Sequence, residues 1–112
     1  MSDGFTVIGM EKLQKKLRKN VSLNEVKKIV KTNGAEMQAE AQRIVPVDTG
    51  TLKRSIGLEI TDGGMTAEVE PTAEYAPYVE FGTRFMEAQP YMKPAFEKQS
   101  KQFRKDMNEL VR

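Results

Sequence analysis

Asp48-Thr49-Gly50 is the tripeptide of this chain that most resembles an active site, because D-T-G carries the catalytic carboxylate of aspartic proteases. Those enzymes need two such carboxylates sharing one proton, so a chain of 112 residues would have to dimerise to build the pair. The surroundings argue against it. That fold is almost all strand and holds its triad in a buried apolar turn. Here a long helical pattern precedes the triad, and Thr51, Leu52, Lys53, Arg54 and Ser55 follow it. A glycine-rich flap is also missing. The simpler reading is a turn in which Asp48 or Thr49 accepts backbone N–H bonds and caps Thr51–Arg54, while Gly50 relieves crowding.

Other chemistry is narrowed by what is absent. The chain has no Cys and no His, which removes thiolate and imidazole nucleophiles, proton shuttles near neutrality and the usual transition-metal ligands. Carboxylates remain: Asp62, Glu68, Glu70, Glu74, Glu80 and Glu87 crowd residues 62–87, where Arg84 is the lone cation. They lack the alternating Asp/Asn spacing of a calcium loop, and Glu68 and Glu70 read as the solvent face of a strand. No phosphate-loop pattern occurs. The expectation is a protein that is not an enzyme, with no catalytic residue, no cofactor and no metal.

Formal net charge is only +2, yet its distribution is uneven. Lys12, Lys15, Lys16, Arg18, Lys19, Lys27, Lys28 and Lys31 gather in the first third of the chain, opposite in sign to the 62–87 stretch. Such runs read first as solvated faces. They also suit a subunit with one basic and one acidic flank in head-to-tail contact with copies of itself. The alternative function is a small nucleic-acid-binding module that uses the basic amino-terminal helices.

The elements that must position these groups follow from periodicity. A composition of 38% hydrophobic and 30% charged residues describes a folded domain, read as a single one over 1–112. No apolar run reaches membrane-span length, and MSDGFTVIG does not read as a secretory signal, so no membrane partner is expected. Phe5 and Val7 read as a short strand or extended arm ending at Gly9, followed by a helix over Met10–Lys19 and a joint at Asn20 and Val21. Ser22 and Glu25 form a capping box. Val26, Ile29, Val30, Met37, Ala41 and Ile44 then predict one long helix from Leu23 to about Ile44, weakened or bent at Gly34 and stopped by Pro46.

Ser55–Thr61 and Met65–Glu70 predict a hairpin around Asp62-Gly63-Gly64. Thr72 is placed to cap a short helix carrying Tyr75, Tyr78 and Val79, ending at Gly82 as a left-handed stop; an extended segment competes because of Pro77. Residues 84–93 read as a loop. Pro94 then opens a final helix whose buried stripe is Phe96, Phe103, Met107 and Leu110. The fold class is α+β: a small, mainly antiparallel sheet with a central hairpin, packed against a long N-terminal helix and a C-terminal helix.

Three stretches rich in Pro, Gly, Thr and Tyr recur along this scaffold: VPVDTGTLKRSI (45–56), EYAPYVEFGT (74–83) and AQPYMKPAFE (88–97). Such residues fix backbone direction. In the second, Val79 and one aromatic read as core and the other aromatics as contact surface, because Tyr, Phe and Arg concentrate where subunits meet. The loop with Phe85, Met86, Tyr91 and Met92 either folds back on the sheet or docks on a neighbour. The expected subunit interface is Tyr75, Tyr78, Glu80, Phe81, Thr83, Arg84, Phe85 and Tyr91. The expected structural positions are Pro46, Asp48, Thr49, Gly50, Gly82 and Pro94.

Taken in order, the three stretches resemble the gene-product-ten-like family of HK-type lambdoid phages, whose members are tail-completion, head–tail joining or minor tail proteins. Pro46, Val47, Asp48, Thr49, Gly50, Leu52, Ser55 and Ile56 match its first block. Tyr75, Ala76, Tyr78, Val79, Glu80, Phe81, Gly82 and Thr83 match the second, and Pro90, Tyr91, Met92, Pro94 and Ala95 the third. Tyr91 departs from the commoner Phe. The resemblance spans roughly 10–110. It implies a structural protein of a tailed bacteriophage or prophage, assembled in the bacterial host cytoplasm and located in the virion neck or tail. Its implied partners are copies of itself in a ring and other phage neck or tail proteins, with DNA only as passing cargo.

Overall fold

The computed structural model describes residues 5–8, 23–46 and 50–110. The expected Met10–Lys19 helix, the joint at Asn20 and Val21, the Ser22 half of the capping box, and Asp48 and Thr49 lie outside them. Strand β1 (Phe5–Ile8) opens the described chain, followed by helix α1 (Leu23–Ile44) and the short helix α2 (Thr51–Ser55). Strands β2 (Ile56–Thr61) and β3 (Thr66–Pro71) follow, then helices α3 (Ala76–Phe81) and α4 (Met92–Leu110). The sheet is antiparallel in the order β1-β3-β2, so the arm at Phe5 is a strand paired with β3. The α+β architecture expected from the sequence is the one observed.

Helix α1 buries Val26, Val30, Met37 and Ala41, spaced by four, seven and four residues along one face. It ends where Pro46 can donate no further N–H; the last bond runs from Val45 N–H to the Ala41 carbonyl at 3.0 Å. Gly34 neither breaks nor terminates it. A Cβ at Gly34 would stand 2.7 Å from the Ala67 Cβ and 2.9 Å from Leu58 Cδ1, so this glycine lets the helix backbone rest on the sheet.

Strand register sets the sheet's two faces. Ile56, Leu58 and Ile60 stand opposite Pro71, Val69 and Ala67, and this side meets α1. The hairpin between Thr61 and Thr66 holds three successive positive φ values: 52° at Asp62, 62° at Gly63 and 99° at Gly64. Asp62 tolerates its strain because its carboxylate accepts from Thr66 Oγ1 at 2.9 Å.

Helix α4 lies antiparallel to α1 and buries Met92, Ala95, Phe103 and Met107. A polar link sits inside this seam. Asn33, fully buried, donates from Nδ2 to the Ile29 carbonyl (2.9 Å) and to Asp106 Oδ2 (3.0 Å). Its Oδ1 accepts from Gln99 Nε2, which also reaches Glu36 Oε1 at 3.1 Å. Since a buried amide without partners is penalised, this network admits one register between the helices.

Candidate functional site

Among the described residues, most of the exposed large apolar side chains lie on helix α3 or in the segments beside it. Pro77 sits within the first turn of α3, where its missing N–H is harmless, which decides for helix over extended chain. Thr72 does not cap it; its hydroxyl donates to the Ser55 carbonyl at 3.2 Å, tying the end of β3 to α2.

Gly82 then redirects the chain. Its φ of 77° is positive as expected, but its ψ of 174° is extended rather than left-handed helical, a combination open essentially to glycine alone. A Cβ there would fall 2.7 Å from the Ala88 nitrogen and 2.9 Å from the Met86 carbonyl oxygen. The loop is stapled across this point. Thr83 and Met86 exchange backbone bonds of 2.8 and 3.3 Å, and Gln89 N–H donates to the Val79 carbonyl at 2.8 Å.

Glu80 is the hub. It is 5% exposed, and its carboxylate accepts backbone N–H bonds from Tyr91 (3.1 Å), Met92 (2.8 Å) and Lys93 (3.2 Å). These are N–H groups that the start of an α-helix leaves without intrahelical partners. Pro94 has no N–H, and Ala95 N–H returns to the Tyr91 carbonyl at 3.4 Å. The first turn of α4 is thereby satisfied by a side chain from another helix, and negative charge there also opposes the helix dipole. Pro94 is the third residue of α4 rather than its first.

These contacts revise the expected interface. Glu80 and Tyr91 are inside the subunit: Glu80 because it caps α4, Tyr91 because its ring joins the core beside Met92. The loop divides at Pro90, with Tyr91 and Met92 folded in and Phe85 and Met86 turned out. Within the second motif no aromatic enters the core. Tyr75, Tyr78 and Phe81 are all exposed, Val79 is partly buried, Ala76 enters the core, and Tyr91 of the third motif is a core aromatic.

The remaining expected residues are all exposed. Tyr78 is 58% exposed, Phe81 68% and Phe85 90%, with Tyr75 and Met86 beside them in sequence and also exposed. The Arg84 guanidinium stands 5.6 Å from the Phe85 ring centroid, a cation–π contact, and Thr83 Oγ1 accepts from Phe85 N–H at 3.1 Å. Of the structural positions, Gly50 has a φ of 75° as N-cap of α2, and its carbonyl receives Arg54 N–H at 3.1 Å.

The sequence reading missed Glu80 as a cap. A signal existed: α4 starts after Pro90-Tyr91 with no Ser, Thr, Asp or Asn at its N-cap, so its cap had to come from elsewhere. A second charged cluster, Glu40 with Arg43 and Lys98, joins α1 to α4. Lys98 Nζ lies 2.7 Å from Glu40 Oε2. The hydrogen bond from Arg43, then that from Lys98, pull the Glu40 carboxyl down to about 2.

Among the described residues no helix is long and apolar enough to cross a membrane. Residues 10–82 match a family described as "Bacteriophage HK97-gp10, putative tail-component". The match covers more than half the chain, takes in the first motif and the second up to Gly82, its last residue but one; the third motif and α4 lie beyond it. Neither curated proteins nor solved structures match the chain.

Proposed function

We propose, because this chain belongs to the HK97-gp10-like family of bacteriophage tail components and is therefore a structural phage protein, that it completes the tail or joins tail to head. It does so by oligomeric contact, as copies arranged in a ring in the neck or upper tail of the virion. Other neck or tail proteins are its neighbours, and DNA passes through as cargo. Assembly takes place in the host cytoplasm.

One observation carries the reading: Tyr75, Tyr78, Phe81, Phe85 and Met86, close in sequence, are all exposed on and beside a turn held by hydrogen bonds to Glu80. An apolar, aromatic surface with an arginine at its edge is the composition of an interface centre. Its underside is fixed by the Glu80 cap and the Gly82 turn, so little ordering entropy is lost on docking.

The test is electron microscopy of particles from the source phage lacking this gene, complemented with variants. Unattached heads and misfinished tails in the deletion, rescued by the natural chain but not by Arg84→Glu, are the expected result. The Arg84→Glu protein should fold normally, since Arg84 is exposed and its one described contact is with Phe85. Normally tailed particles from the deletion strain would refute the function.

A further inference from the structure

Helix α1 packs on one side of β2 and β3, with α4 against α1 and β1, and among the described residues no helix covers the opposite side of the two strands, which is bare in that sense. Alternation puts Gly57, Glu59, Glu68 and Glu70 on that bare side. Glu59 stands directly across from Glu68, and Gly57 from Glu70. Like charges facing each other across strands are unfavourable. Neither salt bridge among the described residues involves these carboxylates. A hollow of about 220 Å³ opens among Gly57, Leu58, Glu59, Glu68, Glu70 and Thr72.

Gly57 makes the hollow, and the fold does not require a glycine there. Its φ is not positive, and an added Cβ would meet nothing closer than the Glu70 carbonyl oxygen at 3.9 Å. Glycine within a strand weakens it, so this one keeps space for something outside the subunit. The carboxylates around it do not converge as a metal-binding group among the described residues. The chemistry that fits is a cationic side chain.

Those side chains lie on the other surface of the same molecule. On α4, Lys101 and Lys105 are one turn apart and face away from the stripe Gln99–Phe103–Met107; Arg104 is beside them, and all three are exposed. On α1, Lys28 and Lys31 are exposed as well. None of these cations takes part in a salt bridge among the described residues. Among the described residues, the acidic sheet face and these helix cations therefore stand on opposite sides of the sheet-and-helix packing.

We propose that the bare sheet face of one copy receives the outer, basic side of α4 from the next copy, with a Lys or Arg side chain in the Gly57 hollow. Because the two surfaces differ and lie back to back, the contact is heterologous: it repeats head to tail and closes as a ring or runs on as a stack. It rests on the self-assembly put forward above and supplies its polarity, while the aromatic cluster stays available for a different neighbour.

Sedimentation velocity of the full chain at low ionic strength tests it with two complementary double variants, Glu59→Lys/Glu68→Lys and Lys101→Glu/Lys105→Glu. The natural chain should self-associate, less so as salt rises. Each double variant alone should associate at least about tenfold more weakly, since like charges then meet at the contact. An equimolar mixture of the two should recover association, because each offers the surface the other has lost. Gly57→Val should weaken association without lowering the thermal midpoint.

A natural chain that stays monomeric, double variants that associate normally, or a mixture that fails to recover each overturn the contact. So does a helical-layer variant that keeps self-association and loses only retention on DNA. Particle morphology judges the tail role separately: misfinished tails in the deletion, with unaltered association of the charge variants, would leave that role standing and remove this contact.

Discussion

Replacing Glu80 tests whether one buried carboxylate holds the aromatic turn to α4. In Glu80→Ala the N–H groups of Tyr91 and Met92, both in buried bonds, lose their acceptor, while that of Lys93 is near enough to solvent for water to substitute in part. An unsatisfied buried donor costs about 1–3 kcal/mol, so the two buried groups together predict a loss of about 2–6 kcal/mol. Glu80→Gln should lie between. Its carbonyl oxygen can still serve Tyr91 and Met92, which both bond to Oε1, but its NH2 then faces the Lys93 N–H. Losing charge assistance and one bond predicts about 1–2 kcal/mol.

Urea unfolding followed by circular dichroism should order the proteins natural, Gln, Ala, with the midpoint moving and the slope unchanged. For a chain of this size each kcal/mol moves the thermal midpoint by roughly 4 °C or somewhat more. Amide exchange adds a local readout, because protection at Tyr91, Met92 and Lys93 should fall before that of the α1–α4 seam. A Glu80→Ala protein within about 0.5 kcal/mol of the natural one, the range of ordinary surface changes, would refute the capping argument.

Gly82→Ala should destabilise by at least about 2 kcal/mol in the same unfolding assay, since it combines a positive φ with a backbone clash; an unchanged midpoint would show that the loop yields freely. Gly34→Ala removes a poor helix former, worth about 1 kcal/mol, but drives a methyl into Ala67 and Leu58, and the crowding should win with a net loss of about 1–2 kcal/mol. A more stable Gly34→Ala protein would mean that the helix can lift off the sheet. Glu40 has its carboxyl depressed from 4.5 to about 2, so its contribution is complete above pH 4.5 and drains away as pH falls toward 2. Glu40→Gln should flatten that part of the acid limb relative to the natural chain, and high salt should shrink the difference.

The elements with strong periodicity were legible in the sequence. The α1 stripe, the Pro46 stop and the β2–β3 hairpin all depend on contacts close along the chain, and local pattern carries them. What escaped were groups whose meaning depends on a distant partner. Gly34 read as a weak point in a helix because its reason, Ala67 on a strand, is remote in sequence. Asn33 interrupts an apolar stripe, and only the arrival of Gln99 and Asp106 makes it a link. Glu80 and Tyr91 looked like contact residues because a charged and an aromatic residue in a loop motif usually face out. Burial reversed both, one as a cap and one as core. Tyr78, Phe81, Arg84 and Phe85 needed no distant partner and stand at the surface as expected.

That division bears on how the second and third motifs act together. The second supplies both the exposed aromatics and Glu80; the third supplies the N–H groups that Glu80 holds, together with Tyr91 and Met92 in the core. Neither motif can keep its shape without the other, since freeing Glu80 strands a buried carboxylate and freeing α4 strands its first N–H groups. The aromatic turn is thus fastened to the α1–α4 seam and not merely tethered at its ends. In the proposed joint, a neighbour docked on Phe81 and Phe85 would meet a surface backed by the core, and force would pass into the long helices rather than into a loop. Separating the halves by the Glu80→Ala change should weaken docking even where Phe81 and Phe85 are intact, and that coupling distinguishes a built platform from a sticky loop.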